Sequence, residues 1–324
     1  VTFPALARSD RLRSSRRWRA IAGNLILALL ATGFLVEYLT HVAMEIPHEK
    51  RHHLVTAAEL APEVRDVTTT TSDGLTVAAW WWPVAHEEGA PVILVHGLGG
   101  SRADMWRGLK LVHGLGRSTL AIDLRGHGES APGLPTSFGW RERLDVEAWI
   151  TWLQVKQGPE TRPVLWGTSL GAVTCLLAAA EDTRIGGVIA DAPFDTFRHT
   201  LIRHAALYYH LGDSLLVPLV AWRIGAEDHV PVDDLDCVKA AARIHVPVLF
   251  IAGELDQRMP PADVRRIYDA ANPPKSWFVV PQAGHSRRPF HPDFCAAVTT
   301  YLQQSAFPSP ASSTSALPKP TNLR

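Results

Sequence analysis

Residues 167–171 read Gly-Thr-Ser-Leu-Gly, a G-x-S-x-G pentapeptide between the apolar run Val164-Leu165-Trp166 and an apolar helical segment. Small residues two before and two after a serine let a strand turn sharply into a helix, which holds the serine Oγ clear of the backbone. The helix start aims amides at the same point, where they suit an oxyanion developing on a carbonyl. This predicts Ser169 as a nucleophile in acyl chemistry, against the plainer alternative of a serine-capped turn. A serine needs a base, and the base an orienting carboxylate. Among 15 histidines, His285 directly follows the last apolar run, in Ala283-Gly284-His285. His199, His204 and His210 fall in helical segments and read as ordinary surface or cap residues. Asp256 lies just beyond the run Val246–Gly253, on a loop able to reach the end of the last strand, and Glu254 and Asp191 compete with it. The order Ser169, Asp256, His285 is one of the known triad orders. Leu98, in His96-Gly97-Leu98-Gly99-Gly100, and Leu170 are the expected oxyanion-hole donors through their backbone N–H groups. The glycine cluster lacks the lysine and hydroxyl of a P-loop and the spacing of a dinucleotide loop. His96 reads as structural, and Gly99 and Gly100 as turn formers.

These residues sit where a particular set of elements would end. The runs at 91–97, 118–126, 163–169, 186–193, 246–253 and 276–284 are short, rich in β-branched residues and apolar on both faces, as parallel strands covered by helices must be. Segments 141–157, 170–181, 262–271 and 292–303 have helical character. Val64–Thr71 and Leu75–Trp82, split by Ser72-Asp73-Gly74, read as an antiparallel hairpin at the sheet edge that includes the triplet Trp80-Trp81-Trp82. The predicted fold class is α/β: a mainly parallel twisted sheet with helices on both faces and its site at the carboxyl ends of the strands.

With Asp123-Leu124-Arg125-Gly126-His127-Gly128-Glu129-Ser130 and Gly253–Pro260 added to the motifs above, the chain resembles the α/β-hydrolase superfamily. It is most similar to the serine-hydrolase branch of lysophospholipase-like and serine-aminopeptidase-like proteins with a small cap, over about residues 66–304. The resemblance implies hydrolysis of carboxylic esters, thioesters or amides through a Ser169 acyl-enzyme, with neither metal nor organic cofactor. The D-x-R-G-x-G-x-S stretch is expected to shape a turn. Ser169 stands where dehalogenases and epoxide hydrolases of this fold carry an aspartate, and Cys175 falls inside a helix, where a core role fits it. An insertion at about 195–237, rich in Leu, Tyr and Trp, is expected to form a helical cap that walls the pocket and favours an apolar acyl or alkyl group. An acyltransferase with the same triad, an aminopeptidase-like amide hydrolase and a non-catalytic membrane-tethered binding protein are the rival functions.

The chain has 324 residues, with 32 Lys+Arg against 32 Asp+Glu. This balance argues against a nucleic-acid partner, but it hides a split. Residues 1–19 carry six arginines against Asp10, and the uncharged run Ala20–Val36 follows directly. That run, with 37–44, can cross a hydrocarbon core of about 30 Å. It shows neither the polar face of a core helix nor a small-x-small cleavage site after it. The expected organisation is a basic cytoplasmic leader (1–19), a transmembrane anchor (20–44), a connector (45–65), the hydrolase domain (66–304) on the outer side, and a disordered Ser/Pro-rich tail (305–324). The oligomeric state is not legible.

Overall fold

Within the run 91–95, alternate side chains enter opposite cores. Val92 and Leu94 of strand β3 (Val92–Val95) bury against Leu109 of α3 (Trp106–Gly114) and Phe294 of α10 (Pro292–Gln304). Ile93 and Val95 bury on the other face with Trp149 of α4 (Glu142–Gln157), Val173 of α5 (Leu170–Ala179) and Val264 of α9 (Pro261–Ala270). The two-residue period of a strand, apolar at every position, thus yields a sheet with a helical layer on each side.

In this computed structural model, which describes residues 6–46, 56–212, 214–228, 230–285 and 291–304 (main chain only for 6–16 and 227–228), eight strands form one sheet. The others are β1 (Arg65–Thr70), β2 (Thr76–Trp82), β4 (Thr119–Ile122), β5 (Val164–Thr168), β6 (Gly187–Asp191), β7 (Val248–Gly253) and β8 (Lys275–Val280). Their order is β1-β2-β4-β3-β5-β6-β7-β8. β2 runs antiparallel to β1 and β4, and from β4 through β3 to β8 neighbours are parallel. The chain steps outward from β3 to β4 and returns across β3 to β5. The carboxyl ends of β3 and β5 therefore lie side by side at the switch in strand order, where such sheets open a crevice. The tryptophan triplet lies in β2, inside the sheet: Trp80 and Trp82 join one core and Trp81 the other.

Between β6 and β7 the chain leaves the sheet as α6 (Phe197–Tyr209) and α7 (Leu216–Asp228), then returns through α8 (Cys237–Ala241). The short α2 (Ala57–Leu60) precedes β1, and the buried Leu60 and Val64 join the core that contains α3.

At the other end, the expected anchor differs from the sequence reading in one respect. Helix α1 (Leu6–Met44) does not stop short of the domain. Val36, Thr40 and Met44, spaced by four residues on one helix face, are buried, and Val36 and Met44 belong to the larger core. Ile46 is buried too, and the Thr136 N–H donates to the Met44 carbonyl (3.0 Å). The segment assigned to anchor and connector is thus partly domain, because a uniformly apolar run carries no mark of which turns meet protein. Residues 47–55 of the expected connector and the expected disordered tail at 305–324 lie outside the described residues.

Candidate active site

The turn from β5 into α5 needs glycine at two places. A Cβ on Gly167 would come within 2.2 Å of the Gly171 carbonyl oxygen, and one on Gly171 within 2.2 Å of the Val95 carbonyl oxygen. Backbone meets backbone at both, so no side-chain shift could make room. Between them Ser169 adopts φ 55° and ψ −117°, a strained conformation held by its N–H donating to the Asp191 carbonyl (2.8 Å) on the neighbouring strand. The turn sets Ser169 Oγ at the sheet's carboxyl edge.

The loops after β7 and β8 bring the other two residues to it. The Leu255 N–H donates to the Ala283 carbonyl (2.9 Å), which joins the two loops. His285 Nδ1–H donates to Asp256 Oδ2 (2.7 Å), and the Ser169 hydroxyl donates to His285 Nε2 (3.0 Å). Asp256 Oδ1 accepts the N–H groups of Arg258 and Met259, both at 2.9 Å, so the buried carboxylate is fixed at both oxygens. The bond to Asp256 selects the imidazole tautomer whose Nε2 can take a proton. The competing acids are engaged elsewhere. Glu254 accepts from the Gln282 N–H (2.8 Å), and Asp191, buried in β6, accepts from Thr168 Oγ1 (3.2 Å).

The loop after β3 lies against the serine: a Cβ on Gly97 would stand 3.3 Å from the Ser169 Cβ. The Gly99 N–H donates to His127 Nε2 (3.1 Å) and the Gly100 N–H to the Gly97 carbonyl (3.0 Å). The Leu98 N–H has no acceptor among the described residues, and Leu170, first in α5, has an N–H that the helix itself cannot satisfy. Both expected donors line the same cavity as Ser169. His96 is buried and accepts the Leu124 N–H at Nε2 (3.1 Å) while its Nδ1–H donates to the Gly97 carbonyl (2.7 Å), in keeping with a structural part. His127 holds the same loop from the other side, a role the sequence reading missed although the residue lay inside a motif it had singled out.

That motif is a turn held by buried charge. Asp123 accepts the N–H groups of Arg102 (2.6 Å) and Glu129 (2.9 Å), and Gly128, at φ +53°, leaves no room for a Cβ beside that carboxylate. Arg125 pairs with Asp145 (2.7 Å) and Asp73 (2.6 Å). Burial pushes the Cys175 thiol well above its ordinary range, which fits a packed core residue rather than a nucleophile.

Ser169, Leu98 and Leu170 open into a cavity of about 320 Å³. Phe194 and the cap residues Leu201 and Val220 form part of its wall, as expected of the insertion. Leu39, Val42 and Ala43 of α1 also line it, and no feature of the sequence pointed to them. Thr200 and His204 of α6, Arg258 of the loop after β7 and Glu45 are among its polar contributions. Burial, with the positive charge of Arg258 next, pushes the His204 imidazole down to about 4.

Residues 90–216 match the family of the alpha/beta hydrolase fold. The chain is 30% identical over 275 residues to the uncharacterized protein Rv2307c of Mycobacterium tuberculosis, a match covering 84% of this chain and 90% of that one. It is 24% identical over 273 residues to the polyketide transferase ATR5 of Stachybotrys chlorohalonatus, across 68% and 89% of the two chains. Among solved structures, the Pyrococcus furiosus esterase PF2001 superposes with a TM-score of 0.66 at 24% identity, covering 81% of this chain and 98% of the esterase.

Proposed function

The chain belongs to the α/β-hydrolase superfamily, and from that premise we propose that it is a serine hydrolase acting on carboxylic esters, or thioesters or amides, with an apolar acyl or alkyl group. The observation that carries the reading is His285 bridging Ser169 (3.0 Å) and Asp256 (2.7 Å) beside a cavity that Leu98 and Leu170 also line. Ser169 Oγ attacks the substrate carbonyl as its proton passes to His285 Nε2. Asp256 holds the imidazolium that forms, and the N–H groups of Leu98 and Leu170 bind the oxyanion. His285 then gives the proton to the leaving alcohol, thiol or amine as the carbonyl–leaving-group bond breaks. A water molecule, deprotonated by the same imidazole, attacks the acyl-enzyme and releases the acid and Ser169. The apolar wall of the cavity supports an alkyl-bearing substrate.

The helix α1 from Arg17 to Met44 is long and apolar enough to cross a membrane. In this reading it is an uncleaved anchor, with the arginine-rich leader on the cytoplasmic side and the hydrolase domain outside. A second reading, acyl transfer, is favoured by the likeness to a polyketide transferase. There an acceptor alcohol or amine takes the place of water at the acyl-enzyme.

A fluorophosphonate probe tests the nucleophile. The wild-type chain is expected to be labelled at residue 169 and to hydrolyse aryl esters, and Ser169→Ala to lose labelling and at least about 10³-fold of kcat. Undiminished turnover by the variant would sink the reading. Product analysis with an added alcohol separates the two fates, since ester formation outpacing release of acid would establish the transferase.

A further inference from the structure

Residues 17–35 of α1 are exposed along their whole length, and the uncharged part, 20–35, runs about 24 Å at about 1.5 Å per residue, most of the thickness of a hydrocarbon core. Contact with the domain starts at once, at Val36. Arg223 of α7 grips Glu37 through two hydrogen bonds (2.7 and 2.9 Å), so the cap is fixed to the helix one residue later. No spacer separates the membrane-length segment from the pocket: Leu39, Val42 and Ala43, at i, i+3 and i+4 on one face, line the same cavity as Ser169. The cap surface beside this junction is apolar and uncovered. Leu215 is 86% exposed and Trp222 69%, while Tyr208 and Tyr209, half exposed, lie at the cavity wall.

We propose that the substrate is a membrane-resident acyl ester, which enters from the bilayer between α1 and the cap and lays its acyl chain along the last turns of α1. The proposal rests on the serine-hydrolase reading and adds to it the source and shape of the substrate. The occupant of the exposed cap surface is the interfacial layer of the same bilayer that holds α1. The continuity of α1 from bilayer to pocket wall requires the cap to lie at that depth. Tryptophan and tyrosine at such a level, with one apolar and one wet end, suit it. Leu39, Val42 and Ala43 then set which chain lengths fit, so the anchor is also a specificity element.

The test uses the full chain in nanodiscs of ether-linked phosphatidylcholine and a long-chain alkyl fluorophosphonate carrying a diazirine in mid-chain. After reaction with Ser169, in which the O–P bond forms and fluoride leaves, irradiation is expected to cross-link the alkyl chain to the peptide containing residues 39–43. Labelling of Ser169 with cross-links confined to other elements would overturn the pocket-wall assignment. Failure to label Ser169 would overturn the hydrolase reading beneath it, which keeps the two failures apart.

In Ala43→Trp the added ring fills space that several methylenes occupy, so the ratio of decanoyl to butyryl ester kcat/KM is expected to fall at least about tenfold. An unchanged ratio, whatever the absolute rates, would count against the proposal. Entry from the bilayer also predicts that diluting a fixed amount of long-chain ester with ether-linked phosphatidylcholine, which has no acyl ester, lowers the rate in step with its mole fraction. A rate that follows bulk concentration alone would remove the bilayer route.

Discussion

His204 and His285 are near enough for charge on one to act on the other, yet their settings differ. His285 is held by Asp256 Oδ2, whereas His204 Nε2 is buried with no hydrogen-bond partner among the described residues. Burial holds the His204 imidazole at about 4, below the ordinary histidine value near 6.5. Between those two values the unfolded chain takes up a proton that the folded chain refuses. The stability associated with His204 is therefore complete above about pH 6.5 and is lost as pH falls towards about 4. His204→Gln is expected to flatten that decline by about 1–3 kcal/mol at pH 4 relative to wild type, read from thermal melts across the range. Parallel pH curves for the two proteins would show that His204 is not buried as described. The contrast also marks how far a sequence reaches at this scale. Ser169 and His285 stood out because a turn and a strand end isolate them. Glu254 and Asp256, two residues apart, could not be separated by position, and only the loop's path shows that Asp256 faces His285 while Glu254 faces Gln282.

The strands and the β5–α5 turn were legible because their periods and glycine spacing are dictated by short-range sterics. Every apolar run assigned to a strand contains one, or in the case of 276–284 overlaps one, and the hairpin has the expected antiparallel sense. The last turns of α1 were not legible, since lipid and protein cores ask for the same apolar side chains and the sequence does not say which will surround them. Close backbone approach is a property of elements and can be tested as one. Gly171→Ala places a methyl against the Val95 carbonyl, where neither α5 nor β3 can yield without moving Ser169, and is expected to cost about 1–3 kcal/mol or more. Gly114→Ala at the end of α3 meets nothing within 4 Å and gains helix propensity, so it is expected to be neutral or stabilising by up to about 1 kcal/mol. Thermal unfolding of the pair decides it, and equal melting temperatures would mean that the close approach of α5 to β3 does not exist.

For the whole molecule, the neutral charge sum conceals an arginine-rich leader and an acidic remainder, and that division was readable from the first residues onward. Where the folded unit starts was not readable, because composition changes near residue 45 while packing does not. Val36, Met44 and Ile46 lie buried in the domain, and Leu60 and Val64 follow before β1 begins. A chain beginning at residue 66 would leave bare the surfaces those side chains cover, at about 1.5–3 kcal/mol for each large apolar residue lost. It would also lose the Met44 carbonyl that accepts the Thr136 N–H and the Leu39–Ala43 wall of the cavity. A chain beginning at Val36 keeps all three while shedding the exposed stretch at 17–35. The Val36 chain is therefore expected to melt close to the full-length protein in detergent and to react with a long-chain fluorophosphonate at a similar rate. The residue-66 chain is expected to aggregate, or to melt well below it and react at least about tenfold more slowly with the long-chain probe. Matching melts and matching labelling rates for the two chains would show that α1 is only a tether, and that the domain is complete without it.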